Sequence, residues 1–116
     1  MKLERNSKLL RICLGELDKY HGTPLYEALV MAAKKQGMAG ATVIRGILSF
    51  GASSRIHTAK LLDLSSDLPI VVEVVDSHEK IDHFPEEVNN MIEEAGCGAL
   101  ITMEAAEVIH YKAKKH

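Results

Sequence analysis

The residue pattern predicts an α+β fold, a ferredoxin-like βαββαβ sandwich with a short extra C-terminal strand. Three observations carry this prediction. Lys8 to Gly15, Ala41 to Leu48 and Pro69 to Asp76 hold alternating or β-branched apolar runs bounded by turn residues. Two other segments repeat apolar residues at helical spacing: Leu25, Ala28, Leu29, Ala32 and Ala33, then Ile81, Phe84, Val88, Met91, Ile92 and Ala95. Their order along the chain is that of the split βαβ arrangement, with each βαβ half crossing over right-handed.

The first strand sets Leu10, Ile12 and Leu14 on one face against Leu9, Arg11 and Cys13 on the other. Cys13 reads as a core strand residue. After a polar loop, Thr23 is expected to cap the first helix and Pro24 to open it, since a first-turn residue needs no N–H. Gly37 or Gly40 ends that helix by permitting a left-handed turn. The third strand is apolar on both faces apart from Glu73, which suits a central position. Asp76 or Ser77 caps the second helix, and Pro85 within it predicts a kink or a staggered start. Gly96-Cys97-Gly98 forms a tight turn. Ala99 to Met103 is the fourth strand, Glu104-Ala105-Ala106 interrupts it, and Glu107 to Tyr111 reads as a short fifth. Leu9, Val71 and Val75 on the sheet face opposite the helices predict self-association.

A chain of 116 residues, 47% of them apolar, suits one domain spanning residues 1–116 that packs its own core. A net charge of −2 argues against a nucleic-acid binder. So does the lack of aromatic residues in the first and third strands, where an RNA-binding sheet would stack bases. Cys13 and Cys97 match no zinc spacing, and the histidines show no metal pattern. No apolar run approaches the ~18 residues of a membrane span, and no signal-peptide pattern opens the sequence. The expectation is a cytoplasmic protein with no membrane insertion.

Between the second and third strands lies a long loop, about residues 46–68, where compact domains use about 4–6 residues. Closure entropy neither forbids nor explains it, at roughly 0.6 kcal/mol per doubling of length. It carries Gly46 and Gly51, hydroxyls at Ser49, Ser53, Ser54 and Thr58, cations at Arg55 and Lys60 beside Arg45, and His57. Leu61, Leu62 and Leu64 either cover the core or form a docking surface. Arg45, inside an apolar strand, reads equally as a ligand contact or as a salt bridge to Glu73. His57 reads as a histidine bonded within its own loop, and Glu16, Asp18 and His21 as a solvated loop without an acid–base partner.

Three stretches carry a resemblance. They are Gly15-Glu16 with Gly22-Thr23-Pro24-Leu25-Tyr26-Glu27; Gly40 to Gly46 through Phe50-Gly51-Ala52-Ser53-Ser54-Arg55-Ile56-His57-Thr58; and Leu68-Pro69 through Val75-Asp76 with Glu79-Lys80-Ile81. Together they resemble the PII signalling proteins, and more specifically the PII-like family classed as a domain of unknown function. The resemblance implies a PII-like homotrimer, a regulator rather than an enzyme, with adenine nucleotides bound between subunits and the long loop contacting a target protein. By position it assigns nucleotide binding to Arg45, Gly46, Phe50 and Gly51 at the loop root, to Gly96, Cys97 and Gly98 at the turn, and to His110 and Lys112 near the C-terminus, and Ser53, Ser54 and Arg55 of the same loop are further candidate nucleotide contacts. It assigns no catalytic residue and no metal. Ala99 stands where PII proteins carry a phosphate-binding lysine, and His110 and Lys112 fall where they carry two arginines. Arginine and lysine do not bind phosphate equivalently, so ADP or AMP is expected rather than ATP. The alternative is a small enzyme or a metal-binding trimer of the same fold.

Overall fold

A computed structural model of the chain describes residues 3–50, 57–58 and 67–114. Its main sheet runs from edge to edge through the strands that begin at Ala41, Pro69, Asn6 and Leu100. These strands are β1 (Asn6–Gly15), β4 (Ala41–Arg45), β7 (Pro69–Ser77) and β8 (Leu100–Glu107). Strand β1 pairs antiparallel with both β7 and β8, so Ile12 faces Val72 on one side and Ile101 on the other. Alternation sends Leu10, Ile12, Leu14, Ile70, Val72 and Val74 to one face, where each is buried. There they meet helix α1 (Leu25–Lys35) and helix α2 (His78–Ala95) through Leu25, Leu29, Phe84 and Val88. This is the predicted α+β, ferredoxin-like arrangement, with both helices on one face.

The opposite face keeps Leu9, Cys13, Val71 and Val75 half-buried. Cys13 is therefore a strand residue, but not one of the helix-covered core. Arg11 crosses this face and binds Glu73 at 3.0 Å and Glu104 at 3.1 Å. The carboxylates on both sides hold its guanidinium more firmly protonated, with the Glu73 hydrogen bond the main cause.

Three details depart from expectation. Thr23 does not cap α1. It pairs with Tyr20 in a small hairpin of β2 (Lys19–Tyr20) and β3 (Thr23–Pro24). His21 and Gly22, with φ of 49° and 78°, turn that hairpin as an I′ pair does. Pro24 takes the cap position without a side-chain bond, and the Leu25 amide donates instead to the Asp18 carbonyl at 2.8 Å. Second, β8 runs unbroken through Glu104-Ala105-Ala106, and no fifth strand follows among the described residues. Arg11 neutralises Glu104, while the Lys8–Ala105 and Ser7–Ala106 pairs hold the register. Third, β4 stops at Arg45 rather than Leu48. The next residues form β5 (Leu48–Ser49), paired with β6 (His57–Thr58).

Ser77 caps α2 by accepting from the Lys80 amide at 3.4 Å, and the helix continues past Pro85. Gly37 (φ 75°) follows α1 and Gly96 (φ 72°) closes α2, both in the left-handed region. Among the described residues, no helix is long and apolar enough to cross a membrane.

Candidate functional site

The antiparallel register brings three chain segments to one end of the sheet. There β1 ends at Gly15, β4 ends at Arg45, and β7 begins at Pro69. The returning chain at Leu68-Pro69 is held from both sides. The Glu16 amide donates to the Leu68 carbonyl at 2.8 Å, and the Gly46 amide donates to the Pro69 carbonyl at 2.7 Å. A Cβ on Gly46 would lie 2.8 Å from the Pro69 ring, so close approach of the two segments requires glycine there. Asp67 accepts from the Leu17 amide at 2.8 Å, and Asp18 accepts from the Gly15 amide at 2.9 Å.

Across this root lies an ion pair between Arg45 Nη2 and Glu16 Oε2. It joins the strands flanking β7. Arg45 is thus not bound to Glu73, because the register sets Glu73 opposite Thr42 in β4 and opposite Arg11 in β1. Glu16, which the sequence suggests is part of a solvated loop, and Asp67 are the carboxylates that the fold brings to this root. Glu16 follows a strand-end glycine in the sequence, whereas the placing of Asp67 against Gly15 is legible only once the strands are aligned.

The candidates taken from the sequence separate into groups. Arg45 and Gly46 form the root just described, and Phe50 beyond them is 71% exposed. Gly51, Ser53, Ser54 and Arg55 lie outside the described residues, as do Lys60, Leu61, Leu62 and Leu64. Gly96, Cys97 and Gly98 sit at the same end of the sheet as Arg45, but by the edge strand β8, whereas Arg45 is on the other edge. Three inter-strand steps separate the two edges, about 14 Å. Cys97 is half-buried and packs against the core. Burial pushes its thiol pKa up, and the neighbouring Asp18 carboxylate adds to the rise, so it is a poor nucleophile.

His110 and Lys112 are exposed and lie elsewhere. Tyr111 between them donates its hydroxyl to the Ala39 carbonyl at 2.7 Å, which places the segment beside the start of β4, at the opposite end of the sheet. Within one chain they do not join Arg45. His21 is bound to Glu94 at 2.9 Å. Among the described residues, no three His, Cys, Asp or Glu side chains gather as a metal site. A groove of about 900 Å³ between α1 and α2, lined by Tyr20, Met31, Lys34, Glu87 and Glu94 among others, lies on the helical side of the molecule.

Comparison with known proteins places this architecture. The family DUF190, described as "Uncharacterized ACR", matches residues 7–108. The chain belongs to that family. It is 43% identical over 103 residues to a UPF0166 protein of Aquifex aeolicus, covering 89% of this chain and 93% of the relative. Among solved structures it resembles CPII, a nitrogen regulatory PII-like protein from Thiomonas intermedia K12 bound to ADP, AMP and bicarbonate. The TM-score is 0.68 at 18% identity, covering 92% of this chain and 91% of that one. It also resembles the divalent ion tolerance protein CutA1 from Ehrlichia chaffeensis, with a TM-score of 0.56 at 9% identity over 93% of this chain and 86% of that one. At such identities the likeness is one of fold, and the DUF190 chain has the PII-like fold.

Proposed function

We propose that this DUF190 protein is a non-enzymatic PII-like regulator that binds an adenine nucleotide between the subunits of a homotrimer. ADP or AMP is the preferred ligand, and the loop rooted at Arg45-Gly46 contacts a target protein. The observation that carries this reading is the division of the candidate residues between the two edges and two ends of one sheet. Among the described residues, one chain does not bring Arg45 together with His110 and Lys112, whereas a ring of copies can set the β4 edge of one subunit against the β8 edge and C-terminal segment of the next. The half-buried apolar residues Leu9, Cys13, Val71 and Val75 supply a face for that association. CPII, with its ADP and AMP, supports the ligand class. In this reading Gly96 to Gly98 offer backbone amides to an anion, Arg45 meets a phosphate, and Gly51, Ser53, Ser54 and Arg55 complete the loop side.

The test is thermal unfolding of the full chain with AMP, ADP, ATP, cyclic nucleotides and dinucleotides, alongside sedimentation to fix the oligomer. A ligand at a hundred times its Kd adds about 2.7 kcal/mol, a rise in Tm of about 5–15 °C for a domain of this size. ADP or AMP should give the larger rise, and the particle should sediment as a trimer. A folded monomer, or a folded trimer indifferent to every nucleotide, overturns the proposal.

A further inference from the structure

We propose that Glu16 is a specificity-determining residue of this site: it is the resident counter-ion of Arg45, and an incoming phosphate must displace it. The inference rests on the nucleotide reading above. Arg45 is the terminal residue of an edge strand, and its side chain is 59% exposed, open to a ligand. Glu16 is only 21% exposed and is fixed by its own backbone, whose amide is bound to Leu68. The Glu16 backbone is therefore anchored at the root, and Arg45 is the more solvent-accessible partner of the pair. The nearby carboxylates Asp18 and Asp67 are already committed to the Gly15 and Leu17 amides, so Glu16 is the one that meets Arg45.

Two consequences follow from charge alone. A phosphate bound at Arg45 must compete with Glu16 for the guanidinium, and it must also sit beside the carboxylate it displaces. Like-charge repulsion at that position grows with each phosphate added. The pair thus lowers affinity for a triphosphate more than for a monophosphate and leaves a ligand without phosphate unaffected. Specificity here comes from a repulsive element in addition to the attractive one. Displacement also has a structural result. Arg45 ends one strand flanking β7 and Glu16 directly follows the other, so breaking their pair removes a strap across Leu68-Pro69, where the chain returns from the long loop.

Calorimetric titration with adenosine, AMP, ADP and ATP tests this on the wild-type chain, on E16Q and on R45Q. E16Q keeps the size and polarity of the side chain and removes only its charge. Relative to wild type, E16Q should bind AMP about fivefold more tightly, the scale of one exposed ion pair, with a larger gain for ATP and none for adenosine. Raising salt should shrink these gains. R45Q should weaken all three phosphorylated ligands and spare adenosine. If wild type binds AMP and E16Q matches it across the series, or shifts adenosine equally, the role assigned to Glu16 fails while nucleotide binding stands. If no chain, folded and assembled, binds any of the four, the nucleotide reading fails and this inference with it.

Discussion

The two ends of the sheet are built from the same residue types and do opposite work. At one end Asp76, 5% exposed, accepts hydrogen bonds from the Ala39 amide at 2.8 Å and the Ser77 amide at 2.6 Å. Lys80 stands 3.9 Å away and donates to the Gly37 carbonyl at 2.9 Å. That carboxylate ties the end of α1, the start of β4 and the start of α2 together out of water. At the other end, Asp67, Asp18 and Glu16 also bind loop amides or an arginine, but where solvent reaches them. A buried hydrogen bond to a charge is costly to lose, whereas an exposed ion pair exchanges its partner for water at little cost. The comparison teaches that one end is built to hold and the other to let go.

The sharpest way to break that contrast is to remove the buried carboxylate. Asp76→Ala leaves two amides without their acceptor and should cost about 3 kcal/mol, read as a lower urea midpoint at fixed protein concentration. Asp76→Asn keeps one acceptor oxygen and should recover part of the loss. A midpoint unchanged by Asp76→Ala would remove the distinction between the ends. Next in size is Gly46→Ala. Its methyl group meets the Pro69 ring, and such crowding costs about 1–2 kcal/mol, seen as a lower Tm. Because the clash lies at the loop root, it should also blunt any nucleotide-induced rise in Tm. The Arg45–Glu16 pair should matter least to folding. Glu16→Gln and Arg45→Gln are each expected within about 1 kcal/mol of wild type. A cost equal to that of Asp76→Ala would make this pair a structural clamp.

The same contrast explains what the sequence disclosed. Leu10, Ile12 and Leu14 alternate in one strand and Ile70, Val72 and Val74 in another, and burial of both sets on one face follows from a period of two. The helices and their glycine ends were legible for the same reason, because spacing and backbone permission are local properties. The Arg45–Glu16 pair is not local. Two strand registers must be known before Glu73 is seen to face Arg11 rather than Arg45. The His21-Gly22 hairpin was a local signal that a competing helix-cap reading of Thr23 obscured. Glu104-Ala105-Ala106 looked like an interruption because these residues have low strand propensity. Pairing with β1 and the salt bridge from Arg11 override that propensity. Arg45 and Gly46 stand out in the sequence as residues, but their separation from Gly96 to Gly98 at the opposite edge of the sheet emerges only from topology.

The smallest effects sharpen the comparison through pH, because the ends respond at opposite extremes. Beside the Asp76 end, Lys8 bonds to Asp82 at 2.6 Å, and that bond holds the Asp82 carboxyl below its ordinary pKa. A depressed carboxylate favours folding above its unfolded pKa, and the contribution is lost as pH falls through the folded value. At the other end, burial and Asp18 raise Cys97. A raised thiol favours folding below its unfolded pKa, and that contribution is lost as pH climbs toward the folded value. Lys8→Met should therefore move the Asp82 carboxyl titration, followed by NMR, upward and leave the alkaline limb of stability alone. Asp18→Asn should lower the Cys97 pKa and speed its alkylation by iodoacetamide near pH 8, leaving the Asp82 titration unmoved. Burial is the larger cause of the Cys97 shift, so part of its slowness should persist in Asp18→Asn. If either substitution shifted both groups, the two ends would be coupled through the sheet, and the division of labour between them would no longer hold.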